Sequence, residues 1–307
     1  GGGGNVAANP PAPAAAAPDS TQAPAPLTEG IYRSDDGGAS WRRVGNNPDG
    51  RGMYFSQLRV DPNNPDRVLV ASVRMSMSVD GGRNFGPVDG GSVHDDKHAI
   101  WWDPANSNHI LIGTDGGAYQ TWDMTRWWIW FPNIPVATFY HVGFDMESPF
   151  NVCGGMQDNY DWCGPSAVRT SNGITNDRWH TVQGGDGFVA IMDARHGRIV
   201  YTESQDGSVT RRNRLTGESR SIRPSASNTT DPNPSGNYRF HWDTPLFFSP
   251  HDPGALFVAG NKLFRSTDRG DTWTAVSPDL TSSPDRNAQM IGGVRNGQVR
   301  GPTNEGM

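Results

Sequence analysis

The chain has 307 residues, 34% of them hydrophobic, and a formal net charge of −6 at pH 7. That length suits one large all-β domain or two ordinary ones, the mild negative charge speaks against nucleic acid as a partner, and no apolar run reaches the roughly 18 residues of a transmembrane segment. With 38 glycines, 24 prolines and 11 tryptophans, many short strands and many turns are expected.

In chain order, residues 1–29 open with four glycines and continue in alanine and proline. Such a stretch cannot bury a core and reads as an extended arm. It carries no initiator Met and no secretory pattern, so the chain is expected to be a processed form, an excised region or an incomplete reading frame. From Gly30 to about residue 283 the rhythm is regular. Residues 30–44 supply only a hairpin. Opening strands follow at Tyr54–Val60, His98–Trp102, Phe139–Phe144, Phe188–Met192 and Leu246–Phe248, and each runs into an Asp or Ser-Pro turn. Second strands are expected at Arg67–Ser72, His109–Gly113, Phe150–Gly154, Arg198–Thr202 and Ala255–Ala259. The turn anchors at 61, 103, 145, 193 and 249 lie 42, 42, 48 and 56 residues apart. A period that starts in the low forties, with about four short strands per unit, predicts the blades of an all-β propeller. Five recognisable blades plus a partial one are expected, six or seven once the ring closes. Residues 284–307 are expected to be an irregular tail.

One eight-residue pattern, S-x-D-x-G-x-x-W, punctuates these units. It occurs in full at Ser34, Asp36, Gly38 and Trp41, and again at Ser266, Asp268, Gly270 and Trp273. Ser78, Asp80, Gly82 and Phe85 repeat it with Phe in the Trp place, and Thr121–Trp128 is a worn copy with Thr for both Ser and Gly. The Asp can bond its own turn, Gly supplies the positive φ, and the aromatic starts the return strand and is expected to pack inside. The pattern resembles the Asp-box (BNR repeat) of sialidase-type, sortilin-type and xyloglucanase-type propellers. From Gly30 to about Leu280 the chain is similar to an internal section of large bacterial Asp-box, sortilin-type "glycosyl hydrolase" proteins. The stretches that carry this likeness include His94–Pro104, Gly154–Asn159, Gly184–Phe188, Tyr238–Pro250 and Phe264–Leu280. The resemblance implies a single propeller out of a longer, two-propeller architecture, and an extracytoplasmic location.

Four polar and aromatic segments lead into strands: His94–His98, Gln157–Trp162, Gly184–Phe188 and Arg239–Asp243. Glycoside hydrolysis needs paired carboxylates, and Asp186 and Asp158 are the candidates, with Asp95 or Asp96 behind them. His98, Gln157, Asn159, Tyr160, Trp162 and Trp242 are candidate ligand-binding residues, and Trp179 is a further ring on which a sugar could stack. Asp beside Gly is also ordinary turn composition, so turn and channel-lining roles remain open for the same residues. No metal site and no cofactor are expected. His94 and His98 with Asp95 and Asp96 lack a fixed ligand geometry, and no loop has calcium-site spacing. Cys153 and Cys163, ten apart, are either a disulfide of an oxidising compartment or two free thiols. The run Trp127–Phe131 is expected to pack between blades, with an exposed docking patch as the alternative. Asn228-Thr229-Thr230 is a glycosylation sequon within a long surface loop, 224–237.

Two functions from different classes follow. The first is a non-catalytic binding or scaffold module docking on a protein or larger complex. Sortilin-type receptors bind peptides, and a propeller of this general type is an assembly factor for photosystem II. The second is a glycoside hydrolase acting on a β-glucan. The two differ in geometry, because catalysis requires carboxylates roughly 5–9.5 Å apart across an open groove.

Overall fold

A computed structural model of the chain describes residues 28–49, 53–88, 91–134, 136–193, 195, 197–232, 238–282, 288, 290–291 and 294–295. The Gly/Ala/Pro arm up to residue 27 and most of the tail lie outside the described residues. A hairpin of β1 (Ile31–Arg33) and β2 (Arg42–Gly45) comes first. It is followed by β3 (Gln57–Asp61), β4 (Asn64–Ala71), β5 (Met75–Ser78) and β6 (Gly86–Pro87), which form one four-stranded sheet. The next sheet holds β7 (Lys97–Trp102), β8 (Ile110–Thr114), β9 (Gly117–Thr121) and β10 (Ile129–Trp130). A third holds β11 (Val142–Phe144), β12 (Asn151–Gly155), β13 (Asp161–Pro165) and β14 (His180–Gln183). The fourth consists of β15 (Gly187–Met192), β16 (Ile199–Ser204), β17 (Ser208–Asn213) and β18 (Ser219–Ser221). In the last large sheet β19 (Thr229–Thr230) runs parallel to β23 (Trp273–Ala275), outside the meander of β20 (Leu246–Phe248), β21 (Leu256–Ala259) and β22 (Leu263–Ser266). A short hairpin, β24 (Met290–Ile291) with β25 (Val294–Arg295), lies within the stretch expected to be irregular.

Antiparallel four-stranded meanders repeated along the chain are the blades of a β-propeller. Their cores form between successive sheets. Leu69 and Met75 of one sheet pack with Ile100, Trp102, Ile110 and Ile112 of the next. Further along, Phe188, Tyr201 and Val209 meet Leu246, Val258, Phe264 and Trp273.

Two local devices explain the register. The first closes the turn between the first two strands. Asp61 Oδ1 accepts from the Asn63 amide at 2.9 Å, Asp103 Oδ1 from Ala105 at 2.8 Å, Asp145 Oδ1 from Glu147 at 3.2 Å and Asp193 Oδ1 from Arg195 at 2.9 Å. Ser249 Oγ takes the same part toward the His251 amide at 3.2 Å. A side chain that bonds the backbone two residues on imitates a turn and fixes where the strand ends.

The second device is the eight-residue clip, and in every copy with a complete sheet it joins the third strand to the fourth. The Ser hydroxyl donates to its Asp at 2.7, 2.8 and 2.8 Å in the three copies that begin with Ser. The Gly amide donates back to that hydroxyl at 2.8, 2.9 and 2.8 Å. The amide four residues beyond the Asp closes onto its carboxylate, from Ser40, Asn84 and Thr272 at 2.9, 3.0 and 2.9 Å. These bonds, chiefly from the Ser40 hydroxyl on Asp36 and the Asn84 amide on Asp80, hold both carboxyls below their ordinary range. The worn copy keeps the scheme: Thr121 Oγ1 donates to Asp123 at 2.8 Å and receives the Thr125 amide at 3.2 Å. Gly38, Gly82 and Gly270 have φ of +91°, +88° and +85°, and Thr125 is held at +71° in the same place.

The aromatic that ends the clip does not always pack inside. Trp273 is 1% exposed, Phe85 is half-buried, and Trp128 is half-buried against the core. Trp41 is 63% exposed, because its hairpin has only β1 and β2, and its indole donates to Gly38 O at 3.2 Å instead. The run Trp127–Phe131 also departs from inter-blade packing. Trp127, Ile129 and Trp130 are all more than half exposed, and Trp128 alone joins the core.

Cys153 and Cys163 face each other across β12 and β13 and form a disulfide that is fully buried. In the segment expected to be a surface loop, Asn228 is tied into a turn. Its side chain accepts from the Ser225 amide at 2.8 Å and donates to Arg223 O at 3.1 Å. No helix among the described residues is long and apolar enough to cross a membrane, which says nothing about spans made of strands.

Candidate functional site

A cavity of about 700 Å³ opens where the β7–β10 sheet meets the β11–β14 sheet. Most of its wall comes from the β8–β9 turn at Thr114–Gly117, the end of β10 with the crossing segment after it, and the β12–β13 turn at Met156–Tyr160. It therefore gathers Gln157, Asp158, Asn159, Tyr160 and Trp162 from the candidate residues, along with His94. His98, Asp186 and Trp242 are not part of its wall. His98 lies tilted against Phe55 at 4.6 Å and places Nε2 2.9 Å from Asp115 Oδ1. Trp242 meets Phe188 edge-on at 6.1 Å. Trp179 covers Gly164 so closely that a Cβ there would lie 2.5 Å from the ring, and it serves packing.

The β12–β13 turn is held from all sides. Asp158 and Tyr160 take positive φ, +62° and +70°. Asp158 donates its amide to Asp186 Oδ1 at 3.0 Å, and its carbonyl oxygen lies 3.2 Å from His94 Nε2. The Asn159 amide group donates to Asp115 O at 2.9 Å and to Gln157 O at 3.2 Å. Trp162 donates its indole N–H to Asn159 O at 2.6 Å, and the Tyr140 hydroxyl donates to Gln157 Oε1. On the facing wall Trp130 donates its indole to Gly116 O at 3.1 Å. The rings are therefore oriented by the same turns that carry the acids.

The two carboxylates expected as a catalytic pair are in contact. The Asp158 carboxyl lies within hydrogen-bonding reach of both Asp115 and Asp186. Burial, then the hydrogen bond with Asp115 and the charge of Asp186, push it up to about 8. Carboxyl oxygens of Asp96, Asp115 and Asp158 lie within 4.8 Å of one another. Burial, followed by the charges of Asp115 and Asp95, also raises Asp96. His94 and His98 do not join these oxygens in one ligand set.

Two further acids were not singled out from the sequence. Asp161 and Glu203 have no exposed surface; no hydrogen bond reaches the Asp161 carboxyl among the described residues, and Glu203 has none of good geometry, only the nearby backbone amides of Thr244 and Gly207. Burial pushes Asp161 up to about 8; burial, opposed by the Thr244 backbone amide and aided by the charge of Asp243, pushes Glu203 up to about 9. Their signal in the sequence is an acid inside a strand, at the head of β13 and late in β16. Asp115 was also missed. It stands in Thr114-Asp115-Gly116-Gly117, a composition that reads only as a turn.

No protein-family model matches the chain, and no curated protein sequence does. Among solved structures it is similar to YCF48 bound to D1 peptide, at 12% identity and a TM-score of 0.30, over 82% of this chain and 76% of that one. It is also similar to a GH74 enzyme of Niastella koreensis, at 18% identity and a TM-score of 0.28, over 80% of this chain and 42% of that one. The GH74 xyloglucanase of Xanthomonas campestris matches at 15% identity and a TM-score of 0.31, over 77% and 41% respectively. The chain spans less than half the length of either GH74 protein. The fold is read from the chain's own sheets.

Proposed function

We propose that the chain is a non-catalytic, extracytoplasmic binding module of the Asp-box class, which docks on a protein or larger complex. Residues 1–29 would serve as its arm, 30–283 as the propeller and 284–307 as a tail. The observation that carries this reading is the contact between Asp158 and Asp186. Hydrolysis of a glycoside needs two carboxyls separated by room for the sugar bond; here Asp186 is occupied by the Asp158 backbone amide, and the two carboxyls crowd each other beside an aromatic-lined cavity. The buried disulfide supports an oxidising compartment.

Mild purification of the native protein with mass spectrometry of its companions tests the proposal. Stoichiometric recovery with one defined partner is expected. A lone monodisperse chain that hydrolyses a β-glucan would overturn it.

A second reading, glycoside hydrolysis, is favoured by one observation. Asp158 is pushed up to about 8 beside Tyr160 and Trp162, so it is a carboxylic acid at neutral pH next to rings on which a sugar can stack. A polysaccharide screen with Asp158→Asn and Asp186→Ala as controls separates the two readings.

A further inference from the structure

The cavity has an acidic end and an aromatic wall. Asp115 and Asp158 line it, and Asp96 stands behind them with its oxygen within 4.8 Å of theirs. Among the described residues no lysine or arginine is ion-paired with any of the three. His98 sits on Asp115, whereas Lys97 and Arg74 are directed to Asp95. Three crowded carboxyls repel one another and hold on to protons, as the raised Asp158 and Asp96 do, and a cation entering the cavity takes the place of those protons.

The nature of the wall decides which cation fits. Calcium asks for six to eight oxygens, but the lining beside the acids includes the rings of Trp130, Tyr160 and Trp162. A guanidinium matches both parts, since its planar fork bonds carboxylates and its face stacks on aromatic rings. The indole N–H groups of Trp130 and Trp162 are already used on Gly116 O and Asn159 O, so the rings are fixed before any ligand arrives. At about 700 Å³ the cavity is in the size range of ligand pockets, roughly 300–1,000 Å³. It has room for residues on either side of the inserted one.

We propose that this cavity receives an arginine side chain presented on an extended segment of the partner protein, between the carboxyls of Asp115 and Asp158 and the rings of Trp130 and Tyr160. The inference rests on the binding-module reading and specifies the chemistry of its ligand.

The test titrates the full chain with acetyl-Gly-Gly-Arg-Gly-Gly-amide and with the same peptide carrying citrulline, which has the same shape and no charge. Calorimetry and tryptophan fluorescence provide the readouts. The arginine peptide is expected to saturate at one site, and the citrulline peptide to bind about tenfold more weakly or worse, as for loss of a charge-assisted hydrogen bond. Asp115→Asn and Asp158→Asn should each weaken the arginine peptide by a similar factor. Trp130→Ala should weaken it at an unchanged melting temperature, since Trp130 is more than half exposed. Equal binding of the two peptides, no saturable binding, or displacement of the arginine peptide by calcium chloride alone would each overturn the proposal. Recovery of a native partner together with failure of the arginine peptide would reject this ligand and leave the binding module standing. Failure of co-purification together with β-glucan hydrolysis would reject the module itself.

Discussion

Trp273 donates its indole N–H to the carbonyl oxygen of Ile222 at 2.7 Å, joining the clip of one sheet to the strand end of the sheet before it, 51 residues earlier. The clip thus orders its own hairpin and also fastens two blades. Trp273→Ala is expected to lower unfolding stability by about 3–5 kcal/mol, the range for removing a buried large aromatic. Trp41→Ala, in the exposed copy, is expected to stay within about 0.5 kcal/mol. Denaturant titration of both variants checks the contrast, and equal losses would contradict it.

Thr125 holds the place of the clip glycine at φ +71°, a conformation that costs a β-branched residue about 1–2 kcal/mol. Thr125→Gly is therefore expected to raise the melting temperature, and Thr125→Ala to give much less. A drop for the glycine variant would mean that the buried threonine side chain contributes more than its backbone costs.

Stability is expected to fall from acid toward alkaline pH. Asp161 and Glu203 are held protonated in the fold, at about 8 and about 9, well above their ordinary values. Between the ordinary carboxylate range and those values the native state binds more protons than the unfolded chain. The stabilisation is complete below about pH 4 and is lost as pH rises through the folded values. Each acid contributes a slope approaching about 1.4 kcal/mol per pH unit. Melting temperatures measured from pH 5 to pH 9 should decline, and Asp161→Asn with Glu203→Gln should flatten the decline. A wild-type curve already flat across that span would contradict the assignment.

The Cys153–Cys163 bridge closes a short loop, worth about 2–3 kcal/mol in the chain-entropy account. Cys153→Ala with Cys163→Ala should lose about that much by denaturant titration. Because both sulfurs are buried, the native protein should resist mild reductant until it is partly unfolded.

The strand pattern was legible because each signal was local. Asp61, Asp145 and Asp193 bond the amide two residues on, so the turn is written within three residues, and the clip within eight. Leu246–Phe248 falls where the sequence puts it. The site was less legible because its contacts are distant. Asp158 meets Asp186 and Asp115 only after loops of three successive sheets converge, and nothing near Asp158 in sequence announces either neighbour. Trp41 and Trp273 share a motif but differ in burial, since what covers a ring is the next sheet. The strand at Thr229–Thr230 leaves no periodicity in the sequence, because only two residues pair, parallel to β23.

The clip joins third to fourth strands wherever a sheet is complete, so β1 and β2 are the outer half of a blade. Along Ile31–Arg33 one side bonds to β2, and among the described residues no strand occupies the other. Exposed strand edges recruit strands from other molecules. Arg33, anchored to Asp35 at 2.7 Å and Asp66 at 3.3 Å, sets a charge on that edge as a partial guard. In the ultracentrifuge this polypeptide should therefore sediment faster as its concentration rises, through self-association that a short β-strand peptide added in excess suppresses.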